Sequence, residues 1–287
     1  MAATKPTVAV IAPGMMGSAV AARLTQHGLV VRSLLAGRSD ASLKRARAAG
    51  MADATPAEIA ACDIILSIVP PGEALGLAEQ LAPAIRAASR KPVYVDCNAV
   101  SPDTVLRIDR VVREAGGVFV DGGIIGPPPD PDSSKTRLYL SGPDAARVAV
   151  LGDYGLSTPV QPGPVGAASA MKMSYAGITK GFTALGAAMM LAATRAGTAD
   201  ALIAEMGVSQ KALLQWLTTQ MPKMHSKAYR WVAEMEEIAA FIGPDRPGSG
   251  FYTAAADLYR AIAADFEGPN AETAALNAFC EKAGGKG

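Results

Sequence analysis

A lysine in an apolar stretch of the sequence is the side chain best suited to chemistry. It lies in "MKMSYAGITKG", residues 171–181, where helical spacing places Lys172, Tyr175 and Thr179 on one face. A lysine partly withdrawn from water has a lowered pKa, so it can donate a proton to a carbonyl oxygen near neutral pH. Tyr175 could bond to the same oxygen or only pack. The ordinary alternative for Lys172 is an aliphatic stem on apolar neighbours with the amine in solvent.

A glycine-containing turn near the N-terminus indicates the cofactor that such a proton donor would serve. The stretch "VAVIAPGMMGSAVAARL", residues 8–24, reads as strand, turn and helix. Gly14 and Gly17 occupy the second and third glycine positions of a dinucleotide-binding fingerprint, and Ala12 replaces the first. A pyrophosphate would bind to backbone N–H groups at the start of the helix, and the alternative is a plain structural turn. The predicted cofactor-binding residues of this loop are Pro13, Gly14, Met15, Met16 and Gly17.

The end of the second predicted strand, "LLAGRSDAS", bears on which dinucleotide binds. An acidic residue at this place binds unphosphorylated ribose, whereas an arginine accommodates a 2′-phosphate. Arg38 and Ser39 follow the strand, and Lys44 and Arg45 are nearby. Asp40 is the competing candidate, but it lies past the strand end and also suits a helix cap. We therefore expect Arg38 and Ser39 to bind NADP(H) in preference to NAD(H).

The elements that must hold these residues change in kind near the middle of the chain. Up to about residue 162, short apolar runs alternate with helical patterns, as in a parallel sheet covered on both faces. The runs are "TVAVIA", "LVVRSLLA", "DIILSIVP", "PVYVDCN" and "GVFVDGG". After "QPGPVG" only helical patterns remain, beginning with a long helix from about residue 166 to residue 195. The predicted fold class is α/β, with a Rossmann-type doubly wound parallel sheet in residues 1–163 and an all-α C-terminal domain in residues 164–287.

Composition argues against several classes of function. Of the 287 residues 50% are hydrophobic, and the formal net charge is +1, which does not predict the broad basic surface of a nucleic-acid-binding protein. Cys62, Cys97 and Cys280 are far apart without CxxC spacing, which argues against disulfides and metal sites and favours a reducing compartment. The N-terminus shows no secretion signal, and the apolar run at residues 181–194 is too short to span a bilayer. We expect a cytoplasmic protein with no metal, nucleic-acid or membrane partner.

On these residues, the sequence resembles the β-hydroxyacid dehydrogenase and 6-phosphogluconate dehydrogenase superfamily. The family's "G-x-G-x-x-G" corresponds to "APGMMG", its "LP" motif to "SIVPP", and its "D-x-S-T…P" to "DCNAVSP". The resemblance implies a cofactor site that includes Val69, Pro70 and Asn98, with Asn98 near the nicotinamide. The C-terminal "RWVAEMEEIAAFI" is similar to a bacterial subgroup of such reductases whose substrates are largely unassigned.

Two departures from the family's motifs bear on the substrate. The substrate-binding "D-A-P-V-S-G-G" is "DGGIIGP" here, which implies substrate contacts at Gly122, Gly123 and Ile125, with Ile125 in place of a hydrogen-bonding serine. "KMSYAGI" is similar to the 6-phosphogluconate dehydrogenase motif "K-M-V-H-N-G-I-E-Y", which makes Lys172 the catalytic lysine. Thr179, a predicted substrate-binding residue, replaces the glutamate that protonates the decarboxylated intermediate. We therefore expect no decarboxylation.

The function predicted from the sequence is an NADPH-dependent oxidoreductase that interconverts an alcohol and a carbonyl of a small molecule, with Lys172 and Tyr175 as catalytic residues. One alternative is a non-catalytic NADP(H)-binding sensor. Another is imine reduction on the same fold, against which stand the retained lysine and the absence of an aspartate at position 172. The apolar, alanine-rich helices predict a homodimer through the C-terminal half, because about 120 residues would not hide so much apolar surface alone.

Overall fold

The computed structural model describes residues 5–130 and 135–284. The chain forms two compact units, which divide between Met173 and Ser174, inside a long helix. The border predicted from the sequence, at residues 163 and 164, lies before this helix, whose first turns pack on the sheet of the first unit.

Within the described residues, a seven-stranded sheet forms the centre of the first unit. Its strands are β1 (Val8–Ile11), β2 (Val31–Ser33), β3 (Ala52–Asp53), β4 (Ile64–Ser67), β5 (Val93–Asp96), β6 (Val118–Ile125) and β7 (Arg137–Ser141). Their order is β3-β2-β1-β4-β5-β6-β7, and the first six strands are parallel. This is the doubly wound order of a Rossmann fold, so the predicted fold class is confirmed.

The edges of the sheet depart from the prediction. β7 runs antiparallel to β6, because the segment joining Ile125 to Arg137 is shorter than the dozen or more residues that a parallel crossover needs. β3 was not predicted, because its two exposed residues form no apolar run.

Apolar side chains cover both faces of the sheet. Along β1, Val8 and Val10 belong to one buried cluster, whereas Ala9 and Ile11 belong to another. Since side chains alternate across a strand, the two clusters lie on opposite faces, and the strands therefore read as continuous apolar runs. The helices of this part of the chain are α1 (Met15–Gln26), α2 (Asp40–Ala48), α3 (Pro56–Ala60), α4 (Ala74–Ala87), α5 (Pro102–Glu114) and α6 (Ala146–Ala149).

The long helix α7 (Ala167–Arg195) begins in the first unit and continues into the second, close to its predicted bounds. In the second unit, the hydroxyl of Tyr259 donates to the carbonyl oxygen of Lys180 at 2.6 Å, and Lys180 forms a largely buried ion pair with Glu234. α7 is thereby joined to two later helices of this unit. The later helices are α8 (Ala199–Ser209), α9 (Lys211–Met224), α10 (Ala228–Ile242), α11 (Pro247–Glu267) and α12 (Ala271–Ala283).

By length and composition, α7 is the one helix among the described residues that is long and apolar enough to cross a membrane. The apolar run at residues 181–194 is too short by itself to span a bilayer, but the helix that contains it has 29 residues. A single helix of this kind is weak evidence for a membrane protein, because core helices of soluble proteins meet the same criterion. Of its apolar window, 44% is buried inside the protein.

Candidate active site

The turn between β1 and α1 has the geometry that dinucleotide binding needs. A Cβ on Gly17 would lie 2.0 Å from the carbonyl oxygen of Ala12, so only glycine lets the helix lie this close to the strand. A Cβ on Gly14 would meet nothing within 4 Å, which leaves open space beside the loop. Gly14 is also the N-cap of α1, and no side chain of the described residues caps the helix. The N–H groups of the first turn are therefore available, and the loop fits a pyrophosphate.

The carboxyl end of β2 carries the residues predicted to select NADP(H). Arg38 is half-buried, and Ser39 is the N-cap of α2, accepting the N–H of Ser42 at 3.4 Å. Asp40 is exposed in the first turn of α2, where the positive end of the helix dipole stabilises a carboxylate. The cap of α2 is thus Ser39 and not Asp40, and Arg38 and Ser39 remain the predicted contacts to a 2′-phosphate.

The carboxyl ends of β4 and β5 and the middle of β6 bring polar side chains together. Ser67, Asp96 and Asp121 lie in register on these neighbouring strands. Asn98, which follows β5, donates through Nδ2 to Ser67 Oγ at 2.9 Å and to a carboxylate oxygen of Asp96. Its Oδ1 accepts the N–H of Val69 at 2.7 Å. Asn98 therefore holds the segment after β4, which contains the predicted cofactor contacts, against the end of β5.

The carboxylate of Asp121 is fully buried and holds the first turn of α7. Four groups donate to its Oδ2 at 2.9–3.1 Å, namely the N–H groups of Gly166, Ala168 and Ser169 and the hydroxyl of Ser141. The hydroxyl of Ser169 donates to Oδ1 at 2.6 Å. An anion at a helix N-terminus is stabilised by such N–H groups and by the helix dipole. These bonds fix where α7 starts, and therefore where Lys172, one turn later, lies.

The backbone of β6 lies directly against α7. A Cβ on Gly123 would be 2.9 Å from the carbonyl oxygen of Ala168 and 3.4 Å from the Cβ of Lys172, and one on Gly122 would be 2.9 Å from a carbonyl oxygen of β5. Both glycines are buried inside the strand, where the missing side chains permit this packing, and Ile125 is half-buried at its carboxyl end. The substrate contacts expected of these three residues stay a prediction.

Lys172 is half-buried, and its surroundings change its protonation. Burial lowers its pKa to about 8, although the carboxylates of Asp96 and Asp121 act in the opposite direction. Among the described residues, no hydrogen bond or ion pair within 4.0 Å occupies its amine. An amine of this pKa exchanges its proton near neutral pH, as proton donation to a carbonyl oxygen requires.

Asp96 and Asp121 are the neighbours of Lys172 that sequence reasoning missed as site residues. Burial raises the pKa of Asp96 to about 7, and its Oδ2 has no hydrogen-bond partner in the part of the chain that the structure describes. Burial also raises the pKa of the Cys97 thiol, which therefore stays protonated at neutral pH. The sequence feature that could have identified them is that each aspartate is the first residue of a family motif, "DCNAVSP" for Asp96 and "DGGIIGP" for Asp121.

Tyr175 and Thr179 follow Lys172 along one side of α7, as the helical spacing predicted. The hydroxyl of Thr179 donates to the carbonyl oxygen of Tyr175 at 2.9 Å, so its proton is engaged with the backbone. The Tyr175 side chain is about half exposed. Their roles toward a substrate stay predictions.

Residues 7–150 match the family described as the NAD binding domain of 6-phosphogluconate dehydrogenase. The chain belongs to this family. Residues 193–262 match a second family, described as a domain of unknown function (DUF1932). An uncharacterised 28.5 kDa protein of Methanothermus fervidus, from the 7S RNA 5′ region, is 32% identical over 141 residues. These are 49% of this chain and 52% of that protein, so the match spans about half the length of the curated relative.

Solved structures with this fold cover nearly the whole chain. A conserved protein of unknown function, described as structurally similar to 3-hydroxyacid dehydrogenases, is 28% identical with a TM-score of 0.67, over 91% of this chain and 98% of its own. Mycobacterium tuberculosis 3-hydroxyisobutyrate dehydrogenase with L-serine is 19% identical with a TM-score of 0.68, and the match covers 96% of this chain and 99% of that one. An imine reductase from Myxococcus stipitatus in complex with NADP⁺ is 21% identical with a TM-score of 0.53, and the match covers 96% of this chain and 99% of that one. At these identities the last two show the fold alone.

Membership of the 6-phosphogluconate dehydrogenase NAD-binding family confirms the resemblance drawn from the sequence motifs. Together with the 28% identical structure it supports an NAD(P)-binding protein with the fold of the 3-hydroxyacid dehydrogenases. The β1–α1 loop, Arg38 and Asn98 lie inside the matched residues. Lys172 lies beyond them, so its role depends on the geometry described above. Among residues 5–130 and 135–284, no group of three or more His, Cys, Asp or Glu could hold a metal ion.

Proposed function

We propose that this protein is an NADPH-dependent oxidoreductase that interconverts an alcohol and a carbonyl, with Lys172 as its proton donor. The observation that carries the proposal is the amine of the half-buried Lys172, which has a pKa of about 8 and whose side chain begins beside Gly123 of β6. It interacts electrostatically with Asp96, whose carboxylate accepts a hydrogen bond from the predicted cofactor residue Asn98. A proton donor is thus linked to the nicotinamide end of the predicted cofactor site.

Each part of the site has a task in this mechanism. The N–H groups at the start of α1 would hold the pyrophosphate, and Asn98 fixes the segment at Val69, which is a predicted cofactor contact. When bound, the nicotinamide supplies or accepts the hydride. During reduction the Lys172 ammonium donates its proton to the carbonyl oxygen as that oxygen gains charge, and during oxidation the neutral amine accepts the hydroxyl proton.

We propose that the reaction proceeds without loss of carbon dioxide. Protonation of the carbon that loses carbon dioxide would need an acid at position 179, and the Thr179 hydroxyl, a very weak acid, already donates to a backbone carbonyl. Ile125, at the end of β6, supports a substrate that is apolar or uncharged at that end, since its side chain cannot hydrogen-bond.

The proposed preference for NADPH depends on Arg38 and Ser39 at the end of β2. A charge-assisted contact to the 2′-phosphate is worth about 1.5–3 kcal/mol, so NADPH should bind at least about tenfold more tightly than NADH. Fluorescence titration of both cofactors tests this preference. Equal affinities, or an Arg38→Ala variant with unchanged NADPH affinity, would show that the preference is wrong.

We propose further that the protein is a cytoplasmic homodimer in which a second copy covers an apolar stripe on α7. The stripe consists of large apolar side chains that are 46–61% exposed and recur at alternating intervals of three and four residues, namely Tyr175, Ile178, Phe182, Leu185 and Met189. This is the spacing of a seam between two helices, and a continuous patch of this kind indicates an interface rather than scattered surface residues.

The decisive experiment measures NADPH consumption against a panel of aldehydes, ketones, β-keto acids and cyclic imines. Carbon dioxide is monitored in the oxidative direction. Turnover of a carbonyl compound without carbon dioxide supports the proposal. Turnover of cyclic imines alone would identify an imine reductase, and tight NADPH binding without any turnover would favour the sensor. Stoichiometric carbon dioxide would overturn the mechanism.

A further inference from the structure

A guanidinium joins the two predicted phosphate-binding segments of the first unit. Arg45 is half-buried on α2, and its Nε donates to the carbonyl oxygen of Pro13, in the loop after β1, at 2.9 Å. Its Nη2 donates to Ser42 Oγ at 3.0 Å. The hydroxyl of Ser39, the cap of α2, donates to the same Ser42 oxygen at 3.1 Å. A hydrogen-bonded chain therefore runs from Pro13 through Arg45 and Ser42 to Ser39.

Arg45 and Ser42 have further hydrogen-bond donors that this network does not use. A guanidinium has five N–H donors, and the contacts to Pro13 and Ser42 engage two of them, which leaves three without a partner among the described residues. The Ser42 oxygen accepts from both neighbours, so its own hydrogen is also free to donate. Across residues 5–130 and 135–284, no carboxylate forms an ion pair with Arg45. Unused donors of a fixed cation suit a phosphate, which a guanidinium binds through two parallel hydrogen bonds.

The position of Arg45 indicates which phosphate this is. In the doubly wound fold the pyrophosphate binds at the loop after β1, and a ribose 2′-phosphate binds at the end of β2. Arg45 contacts the first segment through Pro13 and the second through Ser42. We propose that Arg45 is a further specificity-determining residue, which binds the 2′-phosphate of NADPH from the side of α2 while its contact with Pro13 positions the pyrophosphate loop. This inference rests on the NADPH preference proposed above.

The rival explanation is that Arg45 only supports the Pro13 loop. A support of that kind would contribute equally to nucleotides with and without a 2′-phosphate. The pair of adenosine 2′,5′-bisphosphate and adenosine 5′-monophosphate separates the two roles, because these nucleotides differ only in that phosphate. Their dissociation constants are measured by calorimetric titration on the full chain.

Arg45→Ala should weaken binding of both nucleotides through the lost support of the Pro13 loop, and should weaken binding of the bisphosphate by about tenfold or more beyond that shared loss. Arg45→Lys keeps the positive charge but lacks the paired N–H donors of a guanidinium, so its effect on binding of the bisphosphate should be intermediate. Arg47→Ala is the matched control, because Arg47 is exposed and lies on the opposite side of the same helix. If Arg45→Ala does not fold, Arg45→Lys decides the question through the ratio of the two dissociation constants.

An equal loss for both nucleotides would overturn the inference in favour of loop support, and no loss for either would overturn it outright. Wild-type protein that binds both nucleotides equally would instead show that the NADPH preference itself is wrong. The failure of the inference and the failure of the proposed function are thus distinguishable.

Discussion

The carboxylate of Asp121 accepts the backbone N–H of Ala168 at 2.9 Å, one helical turn before the amine that we propose as the proton donor. A residue in the middle of β6 therefore sets the start of α7. Gly123 on the same strand lets the helix lie against the sheet at Lys172. Two residues of one strand, Asp121 and Gly123, thus determine where the amine lies.

Replacing Lys172 by Met removes the amine and keeps most of the side-chain length. We expect kcat to fall by about 10²–10⁴-fold, because general-acid catalysis contributes that much, while NADPH affinity stays close to wild type. Steady-state kinetics and cofactor titration measure the two quantities. Lys211→Met, on the exposed face of α9, is the control and should leave kcat unchanged. Full turnover in Lys172→Met would exclude the proposed role.

The pH dependence of carbonyl reduction should follow Lys172. The amine must be protonated to donate, so kcat should fall as the pH rises through about 8. The charge of Asp96 raises the Lys172 pKa, so Asp96→Asn should move this decline to lower pH. Rate profiles of both proteins between about pH 6 and 11 test this, since an unperturbed lysine would titrate near 10.4. A decline that lies near pH 10, or that is unmoved in the variant, contradicts the prediction.

Replacing Asp96 or Asp121 by Asn gives two matched variants whose stabilities can be compared, because the two residues lie in register on adjacent strands. Asp121→Asn should lower the free energy of unfolding by at least about 2 kcal/mol, since it breaks charge-assisted bonds to the start of α7. The folded pKa of Asp96 is raised to about 7, above its unfolded value, so its charging costs stability as the pH rises through about 7. At pH 8, Asp96→Asn should therefore be nearly neutral or stabilising. Urea unfolding of both variants compares them, and equal losses would refute the distinction.

Gly14 and Gly17 should respond differently to alanine. Gly14→Ala places a methyl group in open space beside the loop, so the protein should fold normally but lose about tenfold or more in NADPH affinity. Gly17→Ala places a Cβ 2.0 Å from a backbone oxygen, so thermal unfolding should occur at lower temperature. Thermal unfolding and cofactor titration on both variants separate the effects. Unchanged NADPH binding by Gly14→Ala would mean that the turn is merely structural.

The stripe on α7 predicts the oligomeric state. Phe182→Glu places a charge in the middle of the proposed seam, so light scattering should show the mass of one chain, whereas wild type should show two. Val208→Glu is the control, because Val208 is exposed on α8 outside the stripe and should leave the dimer intact. A wild-type mass of one chain at micromolar concentration would refute the homodimer.

Local sequence patterns determined the elements of this protein well. The glycine spacing at Gly14 and Gly17 and the apolar run before it identify the strand, turn and helix, because all three depend on near neighbours in the chain. The bounds of α7 and the alternation of strands and helices were predictable for the same reason. The direction of β7 was not, since it depends on the length of a connection and on which edge of the sheet is open.

Tertiary structure alone decided which polar residues act together. Asp121 and its partners at the start of α7 are 45 to 48 positions apart in the chain, and Arg45 is 32 positions from Pro13. A single aspartate or arginine has no periodicity that reveals such a partner. The lowered pKa of Lys172 likewise arises from burial, and burial is a property of the packed sheet and helix rather than of residues 171–181 by themselves.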